Sequence, residues 1–94
     1  MQRYITSGVN EQIPIDIQIF CWHCYDAAKA TEQYDYLQVF ELKIIGEHTQ
    51  QIEHRQEVPE YKKVYQFNSM NSIEQKIFII DEGEYATMLL AEEY

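Results

Sequence analysis

The clearest pattern lies between residues 35 and 58, where side chains alternate. In 35–45, Tyr36, Phe40, Leu42 and Ile44 share one parity while Glu41 and Lys43 take the other, as in a half-buried strand. In 50–58, Ile52, His54, Gln56 and Val58 point one way, with Glu53, Arg55 and Glu57 opposite. Gly46-Glu47-His48-Thr49 supplies a turn, so the two segments predict an antiparallel hairpin. Pro59 ends the second strand or places it at an edge. Residues 61–67 put Tyr61, Lys63, Tyr65 and Phe67 on one face, and 68–72 (NSMNS) read as a polar loop. KIFII (76–80) is a compact apolar strand, 81–83 a tight turn, and 85–91 (YATMLLA) a final strand whose Tyr85, Met88 and Leu89 also fit a helical face.

Ahead of this β-rich part, 3–9 (RYITSGV) read as a short opening strand ending at Gly8. Pro14 suits the first turn of a helix. From Ile17 the apolar positions 17, 20, 21, 24 and 28 (Ile, Phe, Cys, Cys, Ala) form one stripe, and Ala27, Ala28 and Ala30 favour helix over about 14–30. The expected fold is α+β over residues 1–94 as one domain: an antiparallel sheet of about five or six strands with one helix packed on one face.

Ninety-four residues bound what can be built. A chain this short buries roughly 60–65% of its unfolded surface, enough for one sheet against one helix. Hydrophobic content of 46% with only three glycines and two prolines excludes a mainly disordered chain. The N-terminus runs directly into mixed sequence without a secretory signal, and no apolar run would span a membrane. Two closely spaced cysteines in such a chain read as reduced, which points to the cytoplasm.

The net charge is −9, and residues 77–94 hold Asp81, Glu82, Glu84, Glu92 and Glu93 without a Lys or Arg. Such a surface repels phosphate and membrane headgroups and attracts basic grooves on other macromolecules. Tyr61, Lys62, Lys63 and Tyr65 resemble a base-stacking platform, but Glu57 and Glu60 cancel the lysines, so direct nucleic-acid binding is not expected. The same tyrosines, among eight in the chain, suit protein interfaces.

Chemistry is thinner. Cys21-Trp22-His23-Cys24 with His48 and His54 spells C-x2-C-x23-H-x5-H, four ligands at spacings near those of structural zinc sites. The competing reading makes Cys21 and Cys24 two core thiols, since i, i+3 is how buried positions recur on a helix. Redox use is disfavoured, because both thiols lie inside the helix and away from its N-terminus. Glu53 and His54 point to opposite faces and cannot share an acid–base site. No phosphate-cradling loop or nucleophile elbow is present. No catalytic residue is assigned.

Residues RYITSGV (3–9), DYLQVFEL (35–42), IEHRQEVPEY (52–61), KIFIID (76–81) and TMLLAEEY (87–94) carry a resemblance over nearly the whole chain. They resemble a domain of unknown function first catalogued from staphylococci and found also in lactobacilli, streptococci, their phages and mobile elements. The resemblance implies a compact cytosolic domain from a Gram-positive host or its phage, and no activity. Cys21-Trp22-His23-Cys24 departs from the pattern, where aliphatic and aromatic residues are usual. Charge, size and resemblance lead to one expectation: a non-enzymatic, acidic inhibitor of anti-CRISPR type, docking on a basic protein such as a Cas9-type nuclease. Tyr61, Tyr65, Asp81, Glu82, Glu84, Glu92 and Glu93 are its candidate contacts. The alternatives are a small zinc-dependent enzyme built on Cys21, Cys24, His48 and His54, or a bacterial housekeeping adaptor.

Overall fold

The computed structural model describes residues 2–94. Strand β1 (Gln2–Ile5) leads into helices α1 (Ser7–Gln12) and α2 (Ile15–Ala30). Strands β2 (Leu37–Gly46), β3 (Thr49–Gln56), β4 (Tyr61–Asn68), β5 (Gln75–Asp81) and β6 (Tyr85–Leu90) follow, closed by a 3-10 turn at Ala91–Glu93. The six strands form one sheet in the order β1-β6-β5-β2-β3-β4. All neighbours are antiparallel except β1 and β6, which run parallel.

The predicted hairpin is present. Glu41 stands opposite Glu53 and Gly46 opposite Thr49, with a register shift before the turn. The final segment is the expected strand, over Tyr85–Leu90, and not the helix that Tyr85, Met88 and Leu89 would also fit. Helix α2 matches the predicted span, with Pro14 as its N-cap and the Pro14 carbonyl accepting from the Ile17 and Gln18 N–H groups.

Two expectations change. The opening strand stops at Ile5 because Thr6 caps a second helix: its Oγ1 accepts from the Val9 N–H at 3.2 Å. Glu93 fixes that corner, accepting from Thr6 Oγ1 at 2.6 Å and from the Leu90 N–H at 2.8 Å. Gly8 leaves room for it, since a Cβ there would lie 2.6 Å from the Glu93 carboxylate. The purely antiparallel sheet is the other correction, because β1 adds to β6 in parallel.

Both helices cover one face of the sheet. Val9, Ile13, Ile17, Cys21, Cys24 and Tyr25 pack on Phe40, Leu42, Ile52, Ile77, Ile79, Ala86, Met88 and Leu90 in one buried cluster. The predicted stripe shifts by part of a turn: Ile17, Cys21 and Cys24 are buried as expected, joined by Gln18 and Tyr25, while Phe20 and Ala28 are only half-buried. Phe20 instead meets Tyr65 edge-on at 4.9 Å, sealing the β4 side. Tyr36 and Ile44, though in phase with Phe40, lie beyond the helices and are exposed.

Buried glutamines hold the loops to this frame. The two amide hydrogens of Gln50 are shared among the Lys43, Gln51 and Ile73 carbonyls, and its Oε1 accepts from the Ile73 N–H. Gln56 donates to the Gln33 and Pro59 carbonyls and accepts from the Asp35 N–H. These bonds bring the end of α2, the start of β2 and the β3–β4 turn together.

Candidate functional site

The predicted zinc ligands do not converge. His48 sits in the β2–β3 turn and His54 near the far end of β3; six residues of extended strand separate them by roughly 20 Å. Cys21 is fully buried in the core, where desolvation and the neighbouring Cys24 push its thiol far up. Among the described residues no group of three or more His, Cys, Asp or Glu side chains could hold a metal ion. The helical i, i+3 spacing serves packing here, as the competing reading had it.

Half of that set meets two of the seven predicted partner contacts. Cys24, His54, Tyr61 and Tyr65 line one cavity between the C-terminal part of α2 and the start of β4. The Tyr65 hydroxyl is hydrogen-bonded to the Cys24 thiol and the Tyr61 hydroxyl, and burial first, then these neighbours, push its pKa up to about 12. Burial likewise raises the Cys24 thiol, outweighing the Tyr65 hydrogen bond and the Lys63 charge. His54 stacks flat on Phe40 at 4.5 Å and is 2% exposed. Its tautomer follows from its neighbours. Gln38 spends both amide hydrogens on the Asp35 carbonyl and on Gln56 Oε1, so its own Oε1 accepts from His54 Nε2 at 2.6 Å. Nδ1 is therefore a lone-pair acceptor, with no hydrogen-bond partner among the described residues. Burial holds the pKa of this ring down to about 4.

The acidic candidates divide. Asp81 is an internal group with its side chain 4% exposed: its carboxylate accepts from Tyr25 at 2.6 Å, Tyr34 at 2.8 Å and the Gly83 N–H at 2.8 Å, and pairs with Lys29 at 3.2 Å. Burial alone would raise its pKa, but these bonds together pull it down to about 2. Glu93 holds the α1 corner, and Glu92 accepts from Gln75 at 3.2 Å. Glu82 and Glu84 remain exposed, flanking Gly83, whose φ of 98° needs glycine in the β5–β6 turn.

The topology adds carboxylates that the linear reading left apart. Antiparallel pairing places the start of β2, the end of β3 and the β3–β4 and β5–β6 turns at one end of the sheet. Exposed Glu57, Glu60, Glu82 and Glu84 sit there, and the Gln56 bonds bring the end of α2, with Glu32, alongside. Tyr36, Tyr61 and Tyr85 stand among them, 59%, 41% and 41% exposed. Nearby Arg3 is paired with Asp26 and Lys29 with Asp81, while Lys62 lies beside Glu60 at the start of β4. Among the described residues no helix is long and apolar enough to cross a membrane.

These features define a class: a small α+β domain with a six-stranded mixed sheet, helices on one face, and an acidic, tyrosine-bearing end. The chain belongs to the family described as Staphylococcal protein of unknown function (DUF960), which matches residues 2–93. Its fold is similar to the crystal structure of a protein of unknown function from Enterococcus faecalis, with a TM-score of 0.80 and 24% identity over 99% of this chain and 90% of that one. No curated protein matches the chain.

Proposed function

We propose that the protein is a non-enzymatic binding module whose acidic end occupies a basic surface of another protein. The observation that carries this reading is the gathering of Glu32, Glu57, Glu60, Glu82 and Glu84 from three separate loops at one end, around the exposed rings of Tyr36, Tyr61 and Tyr85. Carboxylates gathered at such an end offer a basic groove the negative charge it otherwise takes from backbone phosphates, and amphipathic rings supply the anchors that charge alone lacks. The partner class we favour is a nuclease with a Lys- and Arg-lined channel, as in Cas9-type effectors. Carriage by a phage or mobile element, in line with the family resemblance, would give such an inhibitor its use.

Kinetics separates charge from anchorage. Replacing Glu57, Glu60, Glu82 and Glu84 by Gln is expected to slow association about tenfold at low salt while leaving dissociation nearly unchanged, because exposed charges steer encounter. Tyr36→Ala or Tyr85→Ala is expected to raise the off-rate instead. Surface plasmon resonance at two salt concentrations reads both. Association rates indifferent to salt and to the four Gln changes would leave the acidic end without this role.

A further inference from the structure

The cavity beside the acidic end measures about 380 Å3, within the range of small-ligand sites. Ala28 of α2 forms one wall, Tyr61 and Tyr65 another, and exposed Glu60 stands at its opening. His54, almost fully buried, lines it, with the Nδ1 lone pair described above. No buried side-chain nitrogen or oxygen among the described residues lacks a partner, so Nδ1 is reached by solvent, through the cavity that His54 lines, and water or a ligand's donor meets it there. No Lys or Arg is among the described residues lining the cavity; around it the carboxylates of Glu32, Glu57 and Glu60 outnumber the ammonium groups of Lys62 and Lys63.

That combination selects the ligand. Anions meet more carboxylates than ammonium groups here, which disfavours phosphates and nucleotides. A neutral heteroaromatic ring would satisfy His54 but gain nothing from Glu60. An ammonium ion is strongly hydrated and loses most on entering a half-apolar space, whereas a guanidinium is planar, weakly hydrated, stacks on aromatic rings and presents five donors. We propose that the cavity binds a guanidinium group, one N–H donating to His54 Nδ1, another to the Glu60 carboxylate, with its plane against Tyr61. The Lys63 ammonium already lies over the Tyr65 ring at 5.2 Å, which leaves Tyr61 as the stacking partner. The site goes beyond the docking reading: a free guanidine compound would bind here whether or not the acidic end meets a protein.

The test is an NMR titration of the full chain with agmatine, putrescine and a blocked Gly-Arg-Gly peptide. Agmatine is expected to shift the His54 and Tyr61 ring signals saturably, with a dissociation constant on the order of millimolar for so few atoms. Putrescine, equally charged but without the fork, is expected to leave His54 unmoved. Glu60→Gln, an exposed change that spares the core, should weaken agmatine about tenfold, and Tyr61→Ala should weaken it as well. Peptide binding at least as tight as agmatine assigns the source to a partner's arginine; agmatine bound with the peptide excluded assigns it to a free small guanidine. Either upholds the site. No saturable shift of His54, or equal responses to agmatine and putrescine, overturns it, and leaves the salt-dependent docking of the acidic end standing or falling separately.

Discussion

Asp81→Asn is expected to lower the unfolding free energy by about 3 kcal/mol, because it removes the charge from a buried network and leaves its donors poorly matched. Tyr25 is fully buried and gives its hydroxyl hydrogen to this carboxylate, as Tyr34 does, and Lys29 supplies the counter-charge. Asparagine presents one acceptor oxygen where the carboxylate has two, and its NH2 opposes either Gly83 or the tyrosines. Urea denaturation at neutral pH measures the loss. Glu82→Gln and Glu84→Gln, one and three residues along, should each change stability by less than about 0.5 kcal/mol. A change at Asp81 as small as theirs would mean that the network contributes nothing.

His54 gives the other large effect, and it is read in pH. The folded pKa is held to about 4 against an ordinary 6.5, so the unfolded chain takes up a proton that the folded chain resists. The stability tied to neutral His54 is therefore complete above pH about 6.5 and is lost as pH falls toward about 4, amounting to about 3 kcal/mol. Asp81 adds to the acid limb lower down: its stabilisation is present above its ordinary value of 3.8 and fades as pH falls toward about 2. Urea midpoints between pH about 4.5 and 7 should thus drop steeply in the native chain and much less in His54→Gln. Equal slopes in the two proteins would place the titrating group elsewhere.

Both effects come from residues that the linear pattern marked only in part. The hairpin of β2 and β3 was legible because period-2 alternation is local, and α2 because Pro14 and the alanines bound and support it. Helix α1 was not, since Thr6-Ser7-Gly8 reads as a strand running into a turn, and the groups that make it a cap include Glu93, far along the chain. The parallel β1–β6 pair is equally non-local.

Asp81 looked like a free tail charge, yet it keeps the parity of Ile77 and Ile79, both fully buried, and that phase signalled an inward side chain. Gln38 and Gln56 carry the same signal on β2 and β3. Cys24, His54, Tyr61 and Tyr65 were singled out one by one, for metal or for a partner. What no local pattern gives is that they share a cavity, because that depends on which strand lies under the end of α2.

The most direct test of the binding account uses a purified Cas9-type nuclease from a Gram-positive host and its guide RNA. DNA cleavage is followed with increasing protein at about 50 and about 300 mM salt. The account predicts that the chain blocks DNA loading at low salt, that DNA competes with it, and that both high salt and the fourfold Gln change at Glu57, Glu60, Glu82 and Glu84 relieve the block. Cleavage untouched by a large excess of folded protein at low salt would contradict it.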